Sequence, residues 1–310
     1  GPGSNIYTHN SYIKSKHGSG DLKYVLYEPD SPKPDNAPVL LYLHGWGADS
    51  TKYYEKMLTH FARKGYIVVY PRLNGTLDIN DYETNTKTIF EDALVELQNG
   101  DRVAPDFDKV IFSGHSLGTQ VLLRMAQTAE NHNYPAPKGI ILHEAAGAIA
   151  MKVFPLGDLG NIDNDTLMVI IARDDWDKDE GTYPIPVSAW HGTEHLKNRN
   201  FIVVKSDNSG KPKLRSTHNS IQTDSPLFWE RRSVNAIDWY GYWRTTEAAI
   251  NFALYGQDRQ YVLGSGADVT YMGKWNNGKI VKRKEIVSDD VLDRVYRELS
   301  NQTIPTLNYE

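Results

Sequence analysis

Lys109-Val110-Ile111-Phe112-Ser113-Gly114-His115-Ser116-Leu117-Gly118, followed at once by Thr119-Gln120-Val121-Leu122-Leu123-Arg124-Met125, is the stretch on which the fold turns. Val110–Phe112 is a β-branched and aromatic run, the composition of a buried strand. Leu117–Glu130 carries Val121, Leu122 and Met125 on one helical face. Between strand and helix stands Ser116, with glycine two residues to either side. A sharp strand-to-helix turn lifts such a serine above the carboxyl ends of a sheet, and crowding at the turn calls for glycine at both flanks.

Working outward, the same alternation recurs from Leu22 to about Tyr255. Apolar runs at Leu22–Tyr27, Val39–Leu43, Tyr66–Tyr70, Gly139–Leu142, Leu167–Ala172 and Phe201–Val204 read as strands, several of them buried on both faces. Helices are predicted over Lys52–Lys64, capped by Ser50 and stopped by Gly65, and over Thr86–Gln98. Strand-helix alternation predicts an α/β fold with a mostly parallel central sheet and helices on both faces. Asp174–Asn200 breaks the rhythm as a polar loop with a short helix. A helix is expected over Thr245–Tyr255. Beyond it, Tyr261–Leu263 and Tyr271–Ile286 read as extended pieces around a turn at Asn276-Asn277-Gly278, and Val287 onward as a terminal helix. Residues 257–310 are expected to be an extension packed on a 5–256 catalytic domain.

Composition limits the partners. The 310 residues are 40% hydrophobic and 24% charged with a net charge of −5, an ordinary globular balance with no basic run to meet nucleic acid. The absence of cysteine removes a thiol nucleophile, disulfides and thiolate metal sites together. No stretch approaches bilayer-spanning length. Gly1-Pro2-Gly3-Ser4 reads as a remnant of tag removal, so a signal peptide could have been cut away with it. Secretion or a periplasmic home is favoured slightly on that ground, with the cytoplasm open.

A serine hydroxyl needs a base beside it to act as a nucleophile at neutral pH. In chain order the acid and the histidine should follow the serine. Asp174, Asp175 and Asp177 follow the strand Leu167–Ala172, and Asp175 stands three residues beyond Ala172, the position preferred for the acid. A solvated loop is the ordinary reading for the other two. Glu144, after Gly139–His143, is the reserve. His218, in a polar loop after the last core strand, is the candidate base; His191 and His195 precede that strand. Oxyanion donors are expected from the Leu117 N–H at the helix start and the Trp46 N–H in His44-Gly45-Trp46-Gly47. Trp176, Trp190 and His115 are the candidate substrate-binding residues, within a wider set of tryptophans that includes Trp229, Trp239 and Trp243.

The His-Gly-Trp-Gly loop, the Gly-His-Ser-Leu-Gly elbow, the late Asp and the later His together resemble the α/β-hydrolase superfamily. Within it the chain looks most like compact esterases of the chlorophyllase, cutinase-like and platelet-activating-factor-acetylhydrolase type. The resemblance implies hydrolysis of a small-molecule ester through an acyl-enzyme: Ser116 attacks, His218 relays the proton and Asp175 orients His218. It also implies no metal and no organic cofactor. Secreted polyester-cleaving relatives often carry a disulfide and lack this His-Gly pair, a departure that sets polyesters aside.

Two rivals come from other classes. His191-Gly192-Thr193-Glu194-His195 matches the spacing of inverted zinc peptidases, although Gly192 weakens the helix that would carry it. A hydrolase scaffold can also serve as a binding protein without catalysis. Thioesters and amides are open to the same triad. Oligomeric state is not legible.

Overall fold

Alternate residues of each apolar run serve opposite faces of one sheet, because successive side chains of a strand point to opposite sides. A computed structural model describes residues 1–73, 80–145, 155–178, 184–223 and 233–301. In it Val39, Leu41 and Leu43 join one buried cluster while Leu40 and Tyr42 join the other. Among the described residues nine strands form the sheet: β1 (Ser11–His17), β2 (Tyr24–Asp30), β3 (Asn36–Leu43), β4 (Ile67–Pro71), β5 (Ala104–His115), β6 (Gly139–His143), β7 (Leu167–Ala172), β8 (Asn198–Val203) and β9 (Glu285–Ile286). Their order is β1-β2-β4-β3-β5-β6-β7-β8-β9. From β4 through β8 the pairing is parallel, while β1, β2 and β9 pair antiparallel at the edges.

Helices α1 (Glu55–Lys64) and α5 (Arg244–Tyr255) cover one face, with Phe61 and Ile250 in its core. Helices α2 (Asn80–Glu96), α3 (Leu117–Gln127), α4 (Pro184–Gly192) and α6 (Asp289–Asn301) serve the other, burying Phe90, Val121, Ile185 and Leu292. Among the described residues no helix is long and apolar enough to cross a membrane.

Several boundaries differ from the sequence reading. Lys52–Lys64 is not one helix: a single tight turn, Thr51–Tyr53, ends at Tyr54, whose φ of −124° breaks it before α1. That break turns the Tyr54 ring inward, where it is fully buried. Helix α2 begins at Asn80, six residues ahead of expectation. β1 was not legible, since its pattern is half exposed and polar. Tyr261–Leu263 is not extended; Arg259–Tyr261 forms a short helical turn, with the Leu263 N–H donating to Arg259 O at 2.9 Å. The turn at Asn276-Asn277-Gly278 is present, flanked by an antiparallel bridge between Lys274 and Ile280. Past residue 257 the chain adds β9 to the sheet edge and sends Leu292, Val295 and Leu299 of α6 into the main core.

Candidate active site

β5 rises between β3 and β6 and delivers Ser116 at the carboxyl end of the parallel strands. Ser116 has φ 53° and ψ −125°, a left-handed conformation that costs a non-glycine residue of order 1–3 kcal/mol. The turn is held from both sides: the Ser116 N–H donates to His143 O at 3.1 Å, and Ser116 O accepts from Thr119 N–H. Gly118 is required because a Cβ there would come within 2.5 Å of Leu43 O. Gly45 is required for a related reason: its Cβ would press on His115 Nδ1 and Ser116 Cβ, each at 2.9 Å. The chain therefore brings the Gly45–Gly47 loop directly against the serine.

His218 Nε2 lies 3.0 Å from Ser116 Oγ, so residues 102 apart in sequence meet at hydrogen-bond distance. Together they line a cleft of about 250 Å³ with Gly45, Trp46, Gly47, Ala48, Tyr53, His115, Asn219 and Gln222. Trp46 stands half exposed at this cleft, although its neighbour His44 is buried. Helix α3 begins at Leu117, whose N–H is a first-turn donor without an intrahelical acceptor.

His44 anchors the loop. Its Nδ1–H donates to Gly45 O at 2.7 Å and its Nε2 accepts from Leu73 N–H at 3.2 Å. Burial pushes its pKa down to about 4, which keeps the ring neutral and able to play both roles. His115 lines the cleft but is itself buried, and its partners are Tyr54 and the His218 carbonyl.

Asp175 makes its hydrogen bond to Arg173 rather than to His218. Its side chain is 63% exposed, with Oδ1 taking Arg173 Nε at 2.8 Å. The Arg173 guanidinium lies between them, with Nη1 3.5 Å from His218 Nδ1. Asp174 pairs with Lys205 and accepts from the Ser206 N–H. The reserve acid, Glu144, is buried beneath Arg173. Its Oε2 accepts from the Arg173 N–H at 3.1 Å and its Oε1 from the Tyr242 hydroxyl at 2.8 Å.

Burial pushes the Glu144 pKa up to about 8, against the opposing pull of Tyr242 and Arg173. The folded chain thus holds this proton more tightly than the unfolded one. The resulting stabilisation is complete below the ordinary carboxyl range and is lost as pH rises through about 8. Glu144→Gln stays neutral throughout. The difference in Tm between variant and wild type should therefore move in the variant's favour between pH 5 and pH 9, by several degrees in paired thermal melts. A difference independent of pH would refute the assignment.

The structure does not bring Trp176 and Trp190 to the cleft. Trp176 packs on Phe201 with ring centres 4.7 Å apart. The Trp190 indole N–H donates to Asp289 Oδ1 of α6, and Arg199 lies over its ring. Both side chains fill the core on the α6 face, where apolar burial outweighs exposure at a loop mouth. Trp239 and Trp243 stack around His60 on the opposite face. Trp229 lies outside the described residues. The His191–His195 spacing is not carried by one helix, since α4 ends at Gly192. His191 pairs with Glu194 and stacks on Tyr296, while His195 Nε2–H donates to Ile162 O. Among the described residues no group of three His, Asp or Glu side chains is arranged to hold a metal ion.

Sequence reasoning missed Tyr54, Arg173 and Tyr242. Only Arg173 carried a signal, as the residue between the end of β7 and the candidate acids.

A family model described as Chlorophyllase matches residues 23–140, from β2 to the start of β6. That span holds the Gly45–Gly47 loop and the Ser116 elbow; Asp175 and His218 lie beyond it. The mostly parallel sheet with helices on both faces is consistent with it. The chain has the α/β-hydrolase fold. The match supports a hydrolase of the esterase kind, and no curated protein matches the chain significantly.

Proposed function

We propose that the chain is a serine hydrolase that cleaves carboxylic esters through an acyl-enzyme. The observation that carries this reading is Ser116 Oγ within 3.0 Å of His218 Nε2, on a strained turn at the mouth of a cleft. Ser116 Oγ attacks the ester carbonyl carbon while His218 Nε2 takes the hydroxyl proton. The C–O bond to the alcohol then breaks and the alcohol leaves with that proton. Water, deprotonated by the same nitrogen, attacks the acyl carbon; the bond to Ser116 Oγ then breaks, Oγ takes that proton back from His218, and the acid leaves. Backbone N–H groups of Trp46 and Leu117 serve the developing oxyanion, the latter aided by the positive end of α3. Asp175 is the acid of this triad by chain order, and Glu144 is the alternative favoured by burial. Thioesters and amides need only the same groups.

A cleft of about 250 Å³ lies below the range usual for drug-sized ligands and suits a short acyl group. Across nitrophenyl esters from acetate to laurate, kcat/KM should peak at two to four carbons and fall at least about tenfold by twelve. Labelling by a fluorophosphonate, with the adduct mapped to Ser116 by peptide mass, tests the reading itself. Folded protein that takes no label would instead favour a binding role on a hydrolase scaffold.

A further inference from the structure

We propose that Gln222, Tyr54 and His115 form a buried hydrogen-bond chain that holds the Gly45–Gly47 loop and the His218 loop in one register. Tyr54 and His115 are then positioning residues for acyl transfer. This rests on the serine-hydrolase reading above.

Three segments far apart in sequence meet here. Tyr54 comes from the break before α1, His115 from the last residue of β5, and Gln222 from the loop that carries His218. The proton positions follow from the partners. His115 Nε2 is 2.8 Å from the His218 carbonyl, which can only accept, so Nε2 carries the proton. His115 is fully buried, and its pKa is driven well below the ordinary value by burial and by His218, so the ring is neutral and Nδ1 is an acceptor. The Tyr54 hydroxyl, 2.7 Å away, therefore donates to Nδ1. Its oxygen in turn accepts from Gln222 Nε2 at 3.3 Å and from the Gly45 N–H at 3.4 Å. Every link has one direction.

One hydroxyl thus touches the loop expected to serve the oxyanion and, through one imidazole, the backbone of the expected base. The grip on His218 is at its carbonyl, on the backbone side of the ring that meets Ser116. His115 and His218 also face one another with ring centres 4.9 Å apart. Apolar side chains would fill the same space without burying polar groups, each of which costs about 1–3 kcal/mol if its partner is lost. The buried links from Gln222 through Tyr54 and His115 to the His218 carbonyl give a specific geometry instead, with Gln222 Oε1 left without a partner among the described residues.

Tyr54→Phe keeps the ring and removes the link. With a short nitrophenyl ester its kcat should fall about 10- to 100-fold, the scale of a small misplacement of reacting groups, with KM within about threefold. Its Tm should stay within a few degrees. His115→Gln, whose amide can donate to the His218 carbonyl, should retain most of kcat, whereas His115→Leu should lose as much as Tyr54→Phe. Because the chain acts as a unit, the double variant Tyr54→Phe/His115→Leu should lose no more than the worse single one. A folded Tyr54→Phe with kcat within twofold of wild type overturns the proposal, as does equal loss in His115→Gln and His115→Leu. Fluorophosphonate labelling of wild type alongside separates the two levels. No label on wild type overturns the serine reading itself, while a labelled wild type with an unaffected Tyr54→Phe overturns the positioning chain alone.

Discussion

Ser116→Ala is expected to lower kcat/KM on a short nitrophenyl ester by about 10⁵–10⁶, with the folded state intact. The size follows from what is removed. Ser116 Oγ forms the covalent bond to the acyl carbon, and without it His218 Nε2 has no hydroxyl proton to take. The oxyanion donors are backbone groups and survive the substitution, so activity should settle about 10³–10⁴ above the uncatalysed rate rather than at it. Stability should barely move, because alanine meets the same left-handed backbone at φ 53° and the turn is held by backbone bonds to His143 and Thr119. A loss below tenfold in folded protein would assign hydrolysis to another group.

Asp175→Asn is expected to cost about 10³–10⁴ in kcat, and Glu144→Gln less than about tenfold. Each time His218 takes a proton, its ring becomes an imidazolium beside the Arg173 guanidinium, whose Nη1 lies 3.5 Å from Nδ1. Two like charges at that distance oppose one another, and an anion must offset them. Asp175 already sits 2.8 Å from Arg173 Nε on an exposed turn, so its carboxylate is free to follow the guanidinium or the ring. Asparagine removes the charge that sits 2.8 Å from Arg173 Nε. Glu144 is pinned between Tyr242 and the Arg173 N–H, and the proton it tends to keep makes it a poor counter-ion. The reverse order of effects, with Glu144→Gln the more damaging, would transfer the acid's role to Glu144.

The amino-acid sequence by itself determined the layered sheet, its parallel centre and the strand-turn-helix around Ser116. These depend on local pattern: continuous apolar runs in β3 and β7, an apolar face at a spacing of three to four in α3, and glycines on both sides of Ser116. β1 escaped because an edge strand exposes half its residues and carries no apolar run. The order of serine, acid and histidine along the chain also pointed to His218, whose Nε2 stands 3.0 Å from Ser116 Oγ, and its role as base is proposed on that geometry.

Only the tertiary structure decided which groups stand between these residues. Arg173 interposes its guanidinium between His218 and both carboxylates, and Trp176 and Trp190 turn into the core instead of the cleft. Tyr54, unremarkable in sequence, joins the Gly45 loop to His115 because the break before α1 aims its ring inward. Local sequence specifies backbone conformation over a few residues, whereas a site is made by side chains reaching across loops. Their directions are settled by competition for buried partners contributed by segments a hundred residues away.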